Sequence, residues 1–337
     1  ADLCADPEVE AVYIATPHQF HRKHVELAAA HGKHVLVEKP MALSLEDCQA
    51  MINAMRRANR WLIVGHSHSF DAPYLKAREM IDSQAFGKVR MISAFNYTDF
   101  LYRPRRPEEL DTMQGGGVVF SQAAHQVDIV RLLGGDSVKS IRAVTGSWDP
   151  ARATEGAYSA LLTFNNDVFA NITYSGFAHF DSDELCGWSG ELGQPRDPDQ
   201  YGFARAKLAE VDSPEQEADL KNARTYGSGF FLSNSRPQDS SHNHFGFVLV
   251  SCDNADIRPM PQGVQVYAHT RRYLEPLPPP VIPRREVLDE LIGAIRNNQQ
   301  PIHTGEWGMA TMEVCLAILE SAQNGHEIKL SHQAIMP

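Results

Sequence analysis

The chain has 337 residues, 43% of them apolar and 22% charged, with a formal net charge of −11. That length predicts two domains, and the composition is that of a folded protein rather than a disordered one. The acidic balance argues against non-specific binding to nucleic acid or an anionic membrane, which needs a basic surface.

No apolar run reaches the roughly 18 residues of a membrane span, and no charged-then-apolar leader suggests secretion. The cysteines, Cys4, Cys48, Cys186, Cys252 and Cys315, are scattered without C-x-x-C or zinc-finger spacing. Reduced, packed thiols in a cytoplasmic protein are expected.

Residues 3–6 read as the end of a helix, and Val12-Tyr13-Ile14-Ala15 as a short buried strand stopped at Pro17. A helix is predicted over 20–31, closed by Gly32 as a left-handed cap. His34-Val35-Leu36-Val37 is a second strand, running into Glu38-Lys39-Pro40. Ser44 with Asp47 reads as a capping box, and the helix behind it puts Leu45, Cys48, Met51, Ile52 and Met55 on one stripe. A third strand follows at 61–64. Strands alternating with helices through short links give the parallel α/β pattern.

After Gly65 the pattern changes. Val89, Met91, Ser93, Phe95 and Tyr97 alternate with a second set, as in a half-buried strand. Further strands are predicted over 138–148, 157–164, 168–175, 245–250 and 264–267, with Asn165-Asn166-Asp167 as a hairpin turn. Successive hairpin-linked strands make an antiparallel or mixed sheet, hence a second domain. Residues 179–244 read as a polar insertion or lid holding a helix near 214–221, and two helices close the chain at 285–297 and 307–324. The expected division is 1–66 and 67–337.

Two constellations carry chemistry. Lys39 follows a parallel strand at its carboxyl end, where open α/β sheets bind ligands, and Pro40 biases it towards an extended backbone. Gly115-Gly116-Gly117 permits close backbone approach, and Ser121, His125 and Asp128 follow at helical spacing on one face. A polar ridge with one imidazole beside a glycine-rich approach suits acid–base work near neutral pH.

Together these pieces resemble the glucose-fructose oxidoreductase/inositol dehydrogenase (Gfo/Idh/MocA) family. The likeness rests on Ile14-Ala15-Thr16-Pro17 with His21, Glu38-Lys39-Pro40, and the glycine triplet with His125 and Asp128, in that order. It implies a Rossmann domain for NAD or NADP, then an α/β domain whose large, mainly antiparallel open sheet supports substrate and a homo-oligomer. The family's catalytic lysine falls on Lys39 and its histidine on His125. Thr16, Pro17, His18, His21, Glu38 and Lys39 are implied on the cofactor side. The family's first strand and G-x-G-x-x-G turn do not occur in these residues, so some fifty or more residues are expected before Ala1. Many members carry an aspartate where Ser121 stands; a serine can bind a substrate hydroxyl but cannot act as a carboxylate base.

Tyr102-Arg103-Pro104-Arg105-Arg106-Pro107 places three arginines in a proline-stiffened loop, suited to bidentate capture of carboxylates. This loop, with Asn96-Tyr97-Thr98-Asp99 before it and residues 120–128, 154–158 and 179–184 after it, resembles the phthalate cis-dihydrodiol dehydrogenase branch of that family. The branch implies NAD as cofactor and a small anionic substrate, an aromatic cis-dihydrodiol, held by Arg103, Arg105, Arg106, Ser121 and Tyr97. The alternatives are a sugar or inositol dehydrogenase with the same Lys/His pair, or a silent binding member of the fold. His66 and His68 fall near the site; His242-x-His244 lacks the partners of a zinc site, and no metal is expected.

Overall fold

The computed structural model describes residues 2–200, 202–223, 240–282 and 284–336. A short helix, α1 (Asp2–Ala5), precedes β1 (Ala11–Ile14). Helix α2 (His21–Ala30) leads to β2 (His34–Val37), and α3 (Leu45–Ala58) to β3 (Leu62–Val64). The three strands form one parallel sheet, with Val12 opposite Val35 and Val35 opposite Leu62. Val35, Val37 and Ile63 are fully buried, as parallel strands covered on both faces require. Gly32 takes the predicted left-handed conformation, φ +67°. Ser44 caps α3 by accepting the Asp47 N–H at 3.1 Å, but the Asp47 carboxylate accepts from Arg22 at 2.8 Å. The capping box therefore has its forward half.

The second unit is built from α4 (Ala72–Asp82), β4 (Val89–Tyr97), α5 (Ala124–Gly134), β5 (Val138–Gly146), β6 (Ala157–Phe164), β7 (Phe169–Ser175), α6 (Phe203–Leu208) and α7 (Pro214–Asn222). It continues through β8 (Phe247–Cys252), β9 (Ala255–Met260), β10 (Gly263–Ala268), β11 (Arg272–Pro276), α8 (Arg285–Asn297), α9 (Gly305–Asn324) and β12 (Ile328–Lys329). Nine strands lie in the order β11-β10-β9-β8-β4-β7-β6-β5-β12. All neighbours among the described residues are antiparallel except β4 and β7. Asp167, at φ +66°, turns the β6–β7 hairpin where Asn165-Asn166-Asp167 predicted it.

Strands β9 and β11, and the two-residue β12, lie outside the predicted set. Pro259 sits in β9 but beyond the stretch that pairs with β8, so its missing N–H costs no ladder bond there. Strand β11 is a polar edge with no apolar alternation to read.

Helices α4, α5 and α9 cover one face of the large sheet, burying Ile92 and Ala94 of β4. The other face carries Leu161 at 47% exposure and Phe169 at 42%. Helix α9 also packs on α3 and β3, and the His303 carbonyl accepts the Val64 N–H at 2.9 Å. One apolar core thus runs through both sheets and fixes the crevice between them.

Candidate active site

A cleft of about 720 Å³ opens beyond the carboxyl ends of β1 and β2. Thr16 and Pro17 follow β1, Glu38 and Lys39 follow β2, and His66 and His68 follow β3; all six line it. The far wall is Gln122 and His125, with Glu191 and Leu192 from the polar insertion and Lys221 and Asn222 from the end of α7. Arg106, Phe245 and Arg284 complete it. A second cavity, about 670 Å³, lies at the amino ends of β2 and β3 near His34 and Trp61. Ligands of open α/β sheets bind at the carboxyl ends, which selects the first.

The Lys39 Nζ donates to the Ser121 carbonyl at 2.8 Å, tying the first unit to the second. Burial pushes its ammonium down to about 8, opposed by the Glu38 carboxylate. His125 is buried on the cleft wall, and its Nδ1 has no hydrogen-bond partner among the described residues. Burial and the charges of Lys39 and His68 hold its pKa well below the ordinary imidazole value. The ring is therefore a neutral group with one nitrogen unpaired among the described residues.

Helix α5 is buried all round, so the expected polar ridge does not exist as a surface feature. It starts as one π-helical turn, Val119–Ala123, of a kind frequent at functional sites. Glu155 anchors that turn by accepting the Val119 N–H at 3.1 Å, and Gly117 at φ +81° leaves room for its carboxylate. A Cβ on Gly117 would stand 2.1 Å from Glu155 Oε1. Gly117→Ala is expected to lower stability by about 2–4 kcal/mol from strain and overpacking together. A thermal melt that leaves the midpoint unchanged would refute this.

Six residues assigned to the site by sequence are placed elsewhere. The Ser121 hydroxyl donates to the Gly117 carbonyl and stays out of the cleft lining. Alternation along β4 sends Tyr97 to a separate aromatic hollow with Tyr102, Trp148 and Phe180. His21 is buried, its ring nitrogens 2.8 Å from the Thr16 carbonyl and 3.1 Å from that of Met41, so it braces the strand-end loop. His18 turns to the Gln114 carbonyl at 3.1 Å. Arg103 is held by Asp99 at 2.8 Å and by Glu191, and Arg105 lies over the Phe100 ring, 3.6 Å from its centroid. Of the three arginines only Arg106 lines the cleft. Asp128 is interior as well, accepting from Thr311 at 2.9 Å and from Ser69 and Trp307.

The largest group that sequence reasoning left without a role centres on Asp71. Its carboxylate lies 2.6 Å from His68 Nδ1 and 3.2 Å from His66 Nε2, and accepts from Asn243 at 3.2 Å. Burial alone would raise its pKa, but the two imidazoles hold it well below the carboxylate range. The only local signal was the His66-x-His68-x-x-Asp71 spacing. Glu191, Lys221 and Arg284 arrive from distant segments and leave no local signal at all. Among the described residues no cluster of His, Cys, Asp and Glu could hold a metal ion, and no helix is long and apolar enough to cross a membrane.

The cleft suits the nicotinamide end of a dinucleotide. It lies at parallel strand ends, is lined by small loop residues at Ala15, Thr16 and Pro17, and carries the His125 imidazole on its wall. Family profiles agree. "Oxidoreductase family, NAD-binding Rossmann fold" matches residues 1–66, and "GFO/IDH/MocA C-terminal domain" matches 74–194. A 1-carboxy-3-chloro-3,4-dihydroxycyclohexa-1,5-diene dehydrogenase of Comamonas testosteroni is 51% identical over 95% of this chain and 81% of its own. A solved chain from Bordetella bronchiseptica RB50, provisionally named a dehydrogenase, superposes at TM-score 0.91 with 40% identity, over 98% of this chain and 85% of that one. An oxidoreductase from Agrobacterium radiobacter, solved with NAD+, L-tartaric acid and magnesium, shares the fold at TM-score 0.67 and 18% identity, over 97% and 82%. The chain belongs to the GFO/IDH/MocA family of NAD-binding, Rossmann-fold oxidoreductases.

Proposed function

We propose that this dehydrogenase oxidises a carboxylated aromatic cis-dihydrodiol, with Lys39 and His125 acting on the reacting hydroxyl. The observation that carries the reading is the convergence of the buried Lys39 amine and an imidazole whose Nδ1 is unpaired among the described residues, in a cleft that also holds Arg106, Lys221 and Arg284 against Glu38 and Glu191. With Lys39 as the free amine, three cations against two carboxylates still suit an anionic substrate despite the acidity of the whole chain. The Comamonas relative, named for a carboxylated dihydroxycyclohexadiene, supports the substrate class.

In this reading residues 1–66 supply the cofactor side of the site and 67–337 the substrate side. Bound NAD supplies the hydride acceptor. Thr16, Pro17 and Glu38 would hold its nicotinamide ribose side, where they line the cleft. The Lys39 amine is kept in place by the Ser121 carbonyl, so its lone pair is free to take the carbinol proton. His125, neutral at working pH, steadies the same oxygen through a ring nitrogen. The carbinol hydrogen would leave with the C–H electron pair as hydride to that acceptor, the O–H proton goes to Nζ, and a C=O forms. The hydroxy-ketone then tautomerises to a catechol, and that aromatisation draws the reaction forward. Arg106 binds the carboxylate. A homo-oligomer through the open sheet face would cover Leu161 and Phe169. Five unpaired cysteines suit a reducing, cytoplasmic setting.

The test is hydride transfer followed by absorbance, using the full-length protein, NAD and a panel of alcohols. Faster turnover of a carboxylated cis-dihydrodiol than of its uncarboxylated analogue or of myo-inositol is expected. Preference for the neutral polyol would defeat the substrate assignment. Dinucleotide binding without turnover of any diol or polyol would defeat the catalytic one.

A further inference from the structure

We propose that His68 is a second proton-accepting imidazole of the cleft, with Asp71 as its positioning residue and counter-charge. The proposal rests on the reading above, in which a diol hydroxyl is deprotonated here. Its starting point is an asymmetry between the two histidines that meet at the cleft wall. Their rings touch edge to face, 4.8 Å between centroids, and both pack on Phe245. Among the described residues no carboxylate backs His125, and its Nδ1 is orphaned. Behind His68 stands a buried carboxylate at 2.6 Å.

That pairing fixes the chemistry of His68. An ionised carboxylate only accepts hydrogen bonds, so Nδ1 carries the hydrogen and Nε2 of the neutral ring keeps its lone pair. Among the described residues Nε2 has no hydrogen-bond partner, while the ring lines the cleft. A carboxylate–imidazole pair with its free nitrogen open to a substrate pocket is the arrangement of a general base held in one tautomer.

The groups facing the ring set it apart from the other imidazoles of the cleft. His125 is disfavoured as an imidazolium by burial and by Lys39. His66 shares Asp71 yet is driven to about 4 by burial, with Arg284 adding to the shift. Of the cleft's imidazoles, His68 has the closest carboxylate contact and a second anion, Glu191, acting on it from the insertion. The step balances simply. The carbinol O–H bond breaks and its proton passes by way of Lys39 to His68 Nε2. The hydride's electron pair leaves to NAD, and the resulting imidazolium lies against the Asp71 carboxylate.

The deciding variant is His68→Asn, whose side-chain amide can keep the hydrogen bond to Asp71 while removing Nε2. Its kcat for the carboxylated diol is expected to fall about 100- to 10,000-fold, the range for a lost acid–base group. KM, NAD affinity by fluorescence and the thermal midpoint should stay near wild type, and added imidazole should restore part of the rate. Asp71→Asn should release His68 from its fixed Nδ1–H tautomer, read by histidine side-chain NMR without substrate, because the carboxylate acceptor is gone. Wild-type kcat in His68→Asn would overturn the proposal. So would a loss that imidazole does not restore and that comes with weakened NAD binding or a lowered midpoint. If the wild-type protein turns over no diol, the proposed function fails, and the NMR tautomer readout still decides the pairing: an unchanged His68 tautomer in Asp71→Asn overturns it.

Discussion

Lys39→Met is expected to reduce kcat for diol oxidation roughly a thousandfold, with NAD affinity preserved and the fold made no weaker. Methionine fills the volume of the lysine stem, so the site does not collapse. The Ser121 carbonyl loses its donor at 2.8 Å, a cost of about 1 kcal/mol. Against that, an amine whose pKa burial has lowered to about 8 is a group the fold disfavours in its charged form. Its folded value lies below its unfolded one, so from neutral pH up to about 8 the charged amine opposes folding in full. That opposition fades as pH rises towards the unfolded value of about 10.4. The apolar variant removes it, and a thermal midpoint at neutral pH equal to or above wild type is expected. Activity carries the complementary sign. Proton abstraction needs the free amine, so kcat/KM for oxidation should climb about tenfold per pH unit below about 8 and level off above it. The reductive direction should show the mirror image. A flat oxidation profile across this range, or a Lys39→Met rate within a few-fold of wild type, would remove Lys39 from the chemistry.

Much of this site was legible from local spacing. Lys39 could be found because a strand, a lysine and a proline fall together at a position where topology puts ligands. His125 could be found because a glycine triplet and a helical histidine follow one another. Ser121, Tyr97, His18, His21, Arg103 and Arg105 fall outside the cleft lining, and the reasons are physical. Helical spacing puts Ser121 near His125, but its hydroxyl is satisfied by the Gly117 carbonyl one turn back. Two arginines of the proline-stiffened loop find partners within the loop's own neighbourhood, Asp99 and the Phe100 ring, before any ligand arrives. Sequence spacing cannot tell which polar groups are already taken. Nor could it bring Glu191, Lys221 or Arg284 to the cleft, since each depends on how the insertion and the segment before α8 pack across the first unit. Three parallel strands were readable from their apolar runs, whereas β9 and β11 carry a proline and a polar edge and gave no such pattern.

Arg106→Ala should raise KM for a carboxylated cis-dihydrodiol about 10- to 100-fold, corresponding to a lost charge-assisted hydrogen bond of about 1.5–3 kcal/mol. The choice among the three loop arginines follows from their surroundings. Arg106 lines the cleft, and its buried Nε makes no hydrogen bond among the described residues. Its nearest carboxylate oxygens, on Glu108 and Glu109, stand 3.7 Å and 3.6 Å away, beyond hydrogen-bonding distance. Glu109 is shared besides with Lys221 at 3.1 Å and Arg105 at 3.8 Å, so its charge is divided among three cations. A substrate carboxylate would therefore meet a guanidinium whose hydrogen-bonding capacity is unfilled. The effect should be selective. The uncarboxylated diol, lacking the anion, should keep its KM in the variant, and kcat on both substrates should change little because Arg106 is assigned to binding rather than proton transfer. Arg106→Lys should recover only part of the loss, since an ammonium supplies charge without the planar fork. Arg103→Ala offers the contrast: its partners are Asp99 and Glu191, so its removal should disturb Glu191 and the insertion and not discriminate between carboxylated and neutral diols. Equal KM increases for both diols in Arg106→Ala would mean that the arginine shapes the cleft without reading the carboxylate, and the anionic substrate class would lose its main support.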